Sequence, residues 1–222
     1  RAQDYAAAGI DALNVSVDSL DPARFANITG HDRLGEVLAG IAAARAAGIA
    51  SIKLNSVLMR GVNDNELDAV IGFVQQHDMA LRFIEVMRTN DNTEFFQRHH
   101  LAGAEIAERL EALGWQRLPR QAGAGPAVEY AQPGRPGRIG IIAPYSKDFC
   151  TTCNRLRVSA KGKLHLCLFG DHGIDLRDLL QDDAQEYELV QRIKALTATK
   201  APAHRLHEGN SGGTPHLASI GG

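Results

Sequence analysis

Every cysteine of the chain falls in one stretch, Cys150-Thr-Thr-Cys153-Asn-Arg155-Leu156-Arg157 and on to Cys167. A C-x2-C pair followed by a third Cys after thirteen residues has the spacing of a metal site. Gathering three thiols on one centre also forces the chain between them to double back. A structural zinc site closes with four protein ligands, so His165 or His172 would have to serve as the fourth. An iron–sulfur cluster is the other thiolate solution, and with three cysteines a 4Fe-4S cluster keeps one iron open to substrate. The remaining reading is three reduced, buried thiols.

Residues 154–159 and 163–168 read as two strands around Ala160-Lys161-Gly162. With Gly162 left-handed in a three-residue turn, 159 faces 163, 157 faces 165 and 155 faces 167. That register gathers Leu156, Val158, Leu164, Leu166 and Leu168 on one apolar face, whereas a two-residue turn would mix the faces. Arg155 and Arg157 then lie beside the metal. As counter-charges on a solvated face they need no ligand. As an anion site, their planar forks suit phosphate or a purine edge.

The run F-C-x-x-C-N-R-L-R, followed by L-x-x-C-L-F-x-D-x-G-x-D-L-R-D-L-L, covers Phe149 to Leu180. It resembles the C-terminal cluster region of the MoaA family, the GTP 3′,8-cyclases of molybdenum cofactor biosynthesis. The resemblance implies that Cys150, Cys153 and Cys167 hold a 4Fe-4S cluster.

A chain of 222 residues, 44% hydrophobic and 23% charged, can form one large domain or two modest ones. Its formal net charge of -2 leaves no basic footprint for nucleic acid, and no apolar run reaches membrane-spanning length. Cysteines in a metal-like spacing suit a reducing compartment, which places the protein in the cytoplasm.

Upstream, residues 1–8 read as helix with Gly9 as its stop. Residues 13–17, 52–59 and 81–87 read as strands. Between them lie helices opened by Asp21-Pro22, carried by Leu34, Val37, Leu38 and Ile41, and carried by Leu67, Val70, Ile71 and Val74. Strand and helix in alternation predict a parallel α/β unit, with chemistry at the carboxyl ends of its strands. Ser16, Asp18 and Met87 fall there. Lys53 and Asn55 share one side of the second strand. Lys53 either meets an anion or reaches solvent at the strand's end. Met87 alone reads as core filler, and Arg82 as a surface ion-pair residue.

These segments resemble the same family, through N-V-S-V-D-S-L-D-P-A-R-F at 14–25, K-L-N-S-V at 53–57 and R-F-I-E-V-M at 82–87. The resemblance implies that Ser16 and Met87 contact S-adenosylmethionine, and that Lys53, Arg155, Leu156 and Arg157 contact GTP, with Arg82 a further candidate. Arg88-Thr89-Asn90 departs from the acidic residue and glycine expected after Met87.

Residues 104–113 read as a helix, 120–125 as a linker, 127–130 and 139–142 as strands, and 175–180 and 184–196 as helices. From Lys200 on, no packing pattern is visible, and the three histidines there read as solvated. The resemblance gives the Ile220-Gly221-Gly222 end a different role, reaching into the active site.

Radical S-adenosylmethionine enzymes carry an early C-x3-C-x2-C loop for a second cluster, and this chain has no such motif. The expected fold is therefore α/β: the latter part of an incomplete (βα) barrel over 1–100, a helix and linker over 101–125, and an α+β iron–sulfur domain over 126–222. As implied by the resemblance, the full-length enzyme cleaves S-adenosylmethionine reductively at the second cluster, using an electron donor. The deoxyadenosyl radical then takes hydrogen from the GTP ribose C3′, and the carbon radical attacks guanine C8. Two other classes stay open: a GTP-binding, cluster-carrying piece without turnover, and a zinc-stapled structural domain. An exposed sheet edge predicts a homodimer. No membrane or nucleic-acid partner is expected.

Overall fold

The computed structural model describes residues 1–213. In chain order its elements are α1 (Ala2–Ala7), β1 (Ala12–Ser16), α2 (Pro22–Thr29), α3 (Leu34–Ala46), β2 (Ser51–Leu58), α4 (Leu67–Gln76), β3 (Ala80–Glu85), α5 (Thr93–His99), α6 (Gly103–Ala112), β4 (Gln116–Arg117), β5 (Val128–Ala131), β6 (Arg138–Ile142), β7 (Arg157–Val158), β8 (Lys163–His165), β9 (Ile174–Asp175) and α7 (Glu186–Ala198). They divide into two compact units, residues 1–86 with 98–143, and residues 87–97 with 144 onward.

The first unit is a six-stranded sheet in the order β1-β2-β3-β6-β5-β4. The first four strands run parallel, and β5 and β4 add antiparallel. The helices begin and end where local chemistry dictates. Asp21 caps α2 by accepting the Arg24 N–H at 2.8 Å, Pro22 opens its first turn, and Gly30 closes it at φ 75°. On β2, residues 52, 54, 56 and 58 are buried while 51, 53, 55 and 57 are half-exposed, the alternation expected of a one-sided strand. The buried side meets the apolar stripes of the helices. Leu54, Phe83, Val74, Ile106, Leu110 and Ile139 are fully buried in one core, each such side chain stabilising the fold by about 1.5–3 kcal/mol. The parallel α/β expectation holds.

The carboxyl ends of β1 and β2 are tied together by side chains. Asp18 accepts the Val57 N–H at 2.7 Å, and the buried Asn63 donates to the Asp18 and Val57 carbonyls while accepting the Met59 N–H. Burial raises the Asp18 carboxyl above its ordinary value, with the Val57 N–H opposing. Asp18 therefore serves the backbone.

Three expectations differ from what is observed. The sequence grouped residues 126–222 as the cluster domain, yet β5 and β6 belong to the first unit's sheet. The reason is that β6 pairs in parallel with β3, from Ala80 with Arg138 to Ile84 with Ile142. Residues 175–180 are not a helix. Ile174–Asp175 pairs with β8, and a single turn of 3-10 helix follows at Arg177–Leu179, set by Asp175 accepting the Arg177 N–H at 2.9 Å. The segment after Lys200 is packed as far as described, with Leu206 and Ser211 buried. The expected role of Gly221 and Gly222 lies outside the described residues.

The second unit is built on the three-stranded sheet β7-β8-β9. Arg157 pairs with His165 and Val158 with Leu164, Ser159 N–H reaches the Lys163 carbonyl, and Gly162 stands at φ 68°. The predicted three-residue turn and its register are as observed. The ladder is shorter than expected, however, and stops before Arg155 and Cys167 could pair. The apolar face is also split. Leu164 and Leu168 are buried, but Leu156 and Val158 are exposed at 38% and 57%.

Candidate functional site

In the first unit the open face of the sheet carries polar side chains in a row. Ser16 on β1 stands beside Asn55 on β2, Asn55 beside Arg82 on β3, and Arg82 beside Gly140 on β6. Arg82 Nε donates to Asn55 Oδ1 at 3.0 Å, and its Nη2 to Asn14 Oδ1. The guanidinium thus lies along the sheet. Burial lowers the Arg82 pKa, with the Glu129 carboxylate opposing. Gly140 leaves room for this side chain, since a Cβ there would stand 3.0 Å from Arg82 Cγ and 3.1 Å from Ala127 Cβ. Lys53, next to Asn14 in register, is half-buried on the same face, and Ser16 is exposed at the carboxyl end of β1. The expected surface ion pair of Arg82 is in fact a pair of amide contacts. Asn14 was not identified from sequence, because only the cross-strand register brings it to Arg82.

In the second unit a succession of turns leads into the cysteines. Phe149 N–H bonds Ser146 O, Thr151 N–H and Oγ1 bond Asp148 O, and Cys153 N–H bonds Cys150 O at 3.1 Å. All three cysteines are free thiols and half-buried. Cys153, Arg155, Arg157 and Ser159 are the half-buried residues of their segment, while Asn154, Leu156 and Val158 are exposed, so both arginines share the side of Cys153. Arg155 donates to Cys153 Sγ at 3.5 Å, and its guanidinium lies 5.0 Å over the Phe149 ring. Burial and the neighbouring Arg155 charge lower the Arg157 pKa, and the Cys167 and Cys153 sulfurs raise it, so Arg157 lies within electrostatic reach of both thiols. Burial opposes the Cys153 thiolate. The Arg155 backbone N–H, the Arg155 guanidinium and Lys200 together outweigh it and bring the thiol below its ordinary value.

The chemistry of this donor set, three thiols with cations beside them, suits thiolate ligation of a metal group. Arg155 and the Lys200 that follows α7 both donate to the Cys153 sulfur, and with Arg157 nearby these cations offset thiolate charge. Among the described residues no three His, Cys, Asp or Glu side chains close on one ion, and the His165 ring lies against Gly173, where a Cβ would stand 2.6 Å from its Nε2.

Met87 is half-buried against the cluster of Leu168, Phe169 and Leu206, together with Tyr145 and Cys167. The loop after it, where the sequence departs from the family's pattern, is held by its own amides. Asn92 accepts the Thr89 N–H and donates to the Met87 carbonyl, and Asn90 bonds Ser211 and the Gly212 carbonyl. Sequence reasoning missed Lys200 and His204. His204 bonds the Pro144 carbonyl at 2.9 Å and packs on Phe149 and Phe169. Neither residue belongs to a periodic pattern, so only tertiary contact reveals them.

The Molybdenum Cofactor Synthesis C family matches residues 79–206, and the Radical SAM superfamily matches residues 1–74. A GTP 3′,8-cyclase from Aeromonas hydrophila subsp. hydrophila is 55% identical over 222 residues, covering 100% of this chain and 65% of that protein. A GTP 3′,8-cyclase from Stenotrophomonas maltophilia (strain R551-3) is 55% identical over 97% of this chain and 66% of its own length. One from Vibrio atlanticus is 51% identical over 97% and 64%. The chain thus spans a little under two thirds of these relatives. With more than half of its length matched by that family model, the chain belongs to the Molybdenum Cofactor Synthesis C family, preceded by a segment that matches the Radical SAM superfamily.

Proposed function

We propose that the whole protein is a radical S-adenosylmethionine GTP 3′,8-cyclase, converting GTP to 3′,8-cyclo-7,8-dihydro-GTP in the first step of molybdenum cofactor biosynthesis. The observation that carries this reading is the placement of Arg155, which donates to the Cys153 sulfur at 3.5 Å, and of Arg157 on the same half-buried side of the segment. Cys150, Cys153 and Cys167 hold a 4Fe-4S cluster. When bound, it supplies an iron without a protein ligand, a Lewis acid for a purine ring atom. Arg155 and Arg157 donate charge-assisted hydrogen bonds to the nucleotide, Leu156 offers its exposed side chain, and Phe149 supports the Arg155 guanidinium. In the first unit Lys53 meets phosphate, with Arg82 on the same face, and Ser16 contacts S-adenosylmethionine, as does Met87 in the second. Rigid placement matters, because a radical formed near an unpositioned nucleotide would react elsewhere.

S-adenosylmethionine is cleaved at a second cluster in the full-length protein, with an electron donor. This chain contains three cysteines, all placed in the C-terminal spacing, so by itself it binds GTP without turnover. β1 is a sheet edge among the described residues, which supports self-association into a dimer. Free thiols suit the cytoplasm. Among the described residues no helix is long and apolar enough to cross a membrane.

The test is iron and acid-labile sulfide analysis of the chain purified without oxygen, with absorption spectra before and after GTP. About four irons and four sulfides per chain, with a spectral change on GTP, is the expected result. Zinc without sulfide would reject it in favour of a structural staple.

A further inference from the structure

Lys200 lies just past the end of α7. Its Nζ donates to Cys153 Sγ at 3.5 Å and to the Arg155 carbonyl at 2.9 Å. Among residues 197–203 it alone is half-buried; its neighbours are exposed. Its partners are a sulfur and a carbonyl, where a surface lysine would meet carboxylates or water. Both flanks are anchored. On one side, α7 is tied through Arg192 to Asp178 at 2.6 Å. On the other, His204 bonds the Pro144 carbonyl, Leu206 is buried with Leu168 and Phe169, and Ser211 bonds Asn90. The ammonium is therefore placed by packing around it.

We propose that Lys200 is a positioning residue for the cluster-binding segment, holding the Cys153 sulfur toward the metal centre and fixing the backbone between Cys153 and Arg155. The proposal rests on the metal-site reading above. Its physics is that of outer-sphere donors in general. An N–H bond to a ligating thiolate draws electron density from sulfur, which eases reduction of the centre, and it fixes the ligand's orientation, which slows metal loss. The second bond, to the Arg155 carbonyl, holds the backbone from which that guanidinium extends.

The experiment compares the parent chain with Lys200→Met, which keeps the length of the stem and removes the ammonium, and Lys200→Arg, which keeps charge and donors. Each is prepared without oxygen. Metal and sulfide are assayed, metal loss to a chelator is timed, the centre is titrated redox-potentiometrically, and melting of the metal-free chain serves as the fold control. Lys200→Met is expected to lose metal about tenfold faster or more, with a more negative potential, while Lys200→Arg recovers most of both and all three chains melt alike. Parent-like loss rate and potential in Lys200→Met would overturn the proposal. So would equal loss in both variants accompanied by lowered melting, since the side chain would then serve the fold alone. Zinc in the parent rejects the cluster reading, and the ratio of loss rates then upholds or overturns the lysine's role by itself. A parent that retains no metal overturns both.

Discussion

Arg157 is the most informative single residue. Two sulfurs and a second guanidinium act on it, and it is half-buried, so a ligand anion would meet a donor that has already shed part of its water. Arg157→Ala is expected to weaken GTP binding by about 1.5–3 kcal/mol, the range for a hydrogen bond to a charged group. Unchanged affinity in calorimetry would remove it from the site. His204 supports a second prediction. Its Nδ1 accepts the Leu206 N–H at 3.3 Å while Nε2 faces the Pro144 carbonyl, so the packed form is the neutral Nε2–H tautomer. Burial, then the His207 and Arg155 charges, lower its pKa against the Pro144 bond. An unfolded histidine titrates near about 6.5, so between the two values the unfolded chain binds more protons. Stability from this group is complete above about 6.5 and declines as pH falls toward the folded value. Urea midpoints across that range should drop in the parent and drop less in His204→Gln. Identical slopes would clear His204 of the effect. The half-buried side shared by Cys153, Arg155 and Arg157 was legible because alternation fixes it, whereas Lys200 and His204 were not, because their partners lie 47 and 60 residues away.

Among elements, the β7–β8 hairpin shows why a short pattern can be decisive. Its register followed from period-two alternation and from one glycine, and both are observed. A residue at 162 would need φ 68° and would bring a Cβ within 2.6 Å of Arg177 Cγ. Gly162→Ala is therefore expected to cost about 1–2 kcal/mol for the left-handed backbone, plus whatever displacement the Arg177 stem requires. Thermal melting measures it, and a variant as stable as the parent would argue against this turn. The third strand was not legible. Ile174–Asp175 lies in a stretch with helix-like leucine spacing, but its backbone groups are taken by β8, and the Asp175 side chain bonds the Arg177 N–H. Long-range pairing overrode local propensity there.

For the whole molecule, the alternation of strand and helix through residue 85 determined a parallel α/β unit, because periods of 2.0 and 3.6 are properties of the chain itself. The three cysteines and their intervening arginines likewise determined a candidate metal and anion site from spacing alone. Only the tertiary structure decided which strand lies beside β3. β6 returns to it after some fifty intervening residues, and nothing local in Ile139–Ile142 names its partner. The same holds for the segment after Lys200, whose few buried residues, Leu206 and Ser211, have no repeating period to announce them. Sequence carries what is encoded in neighbours along the chain. Which distant backbone and which distant ammonium meet a given strand or sulfur is decided by the packing that excludes water from between them.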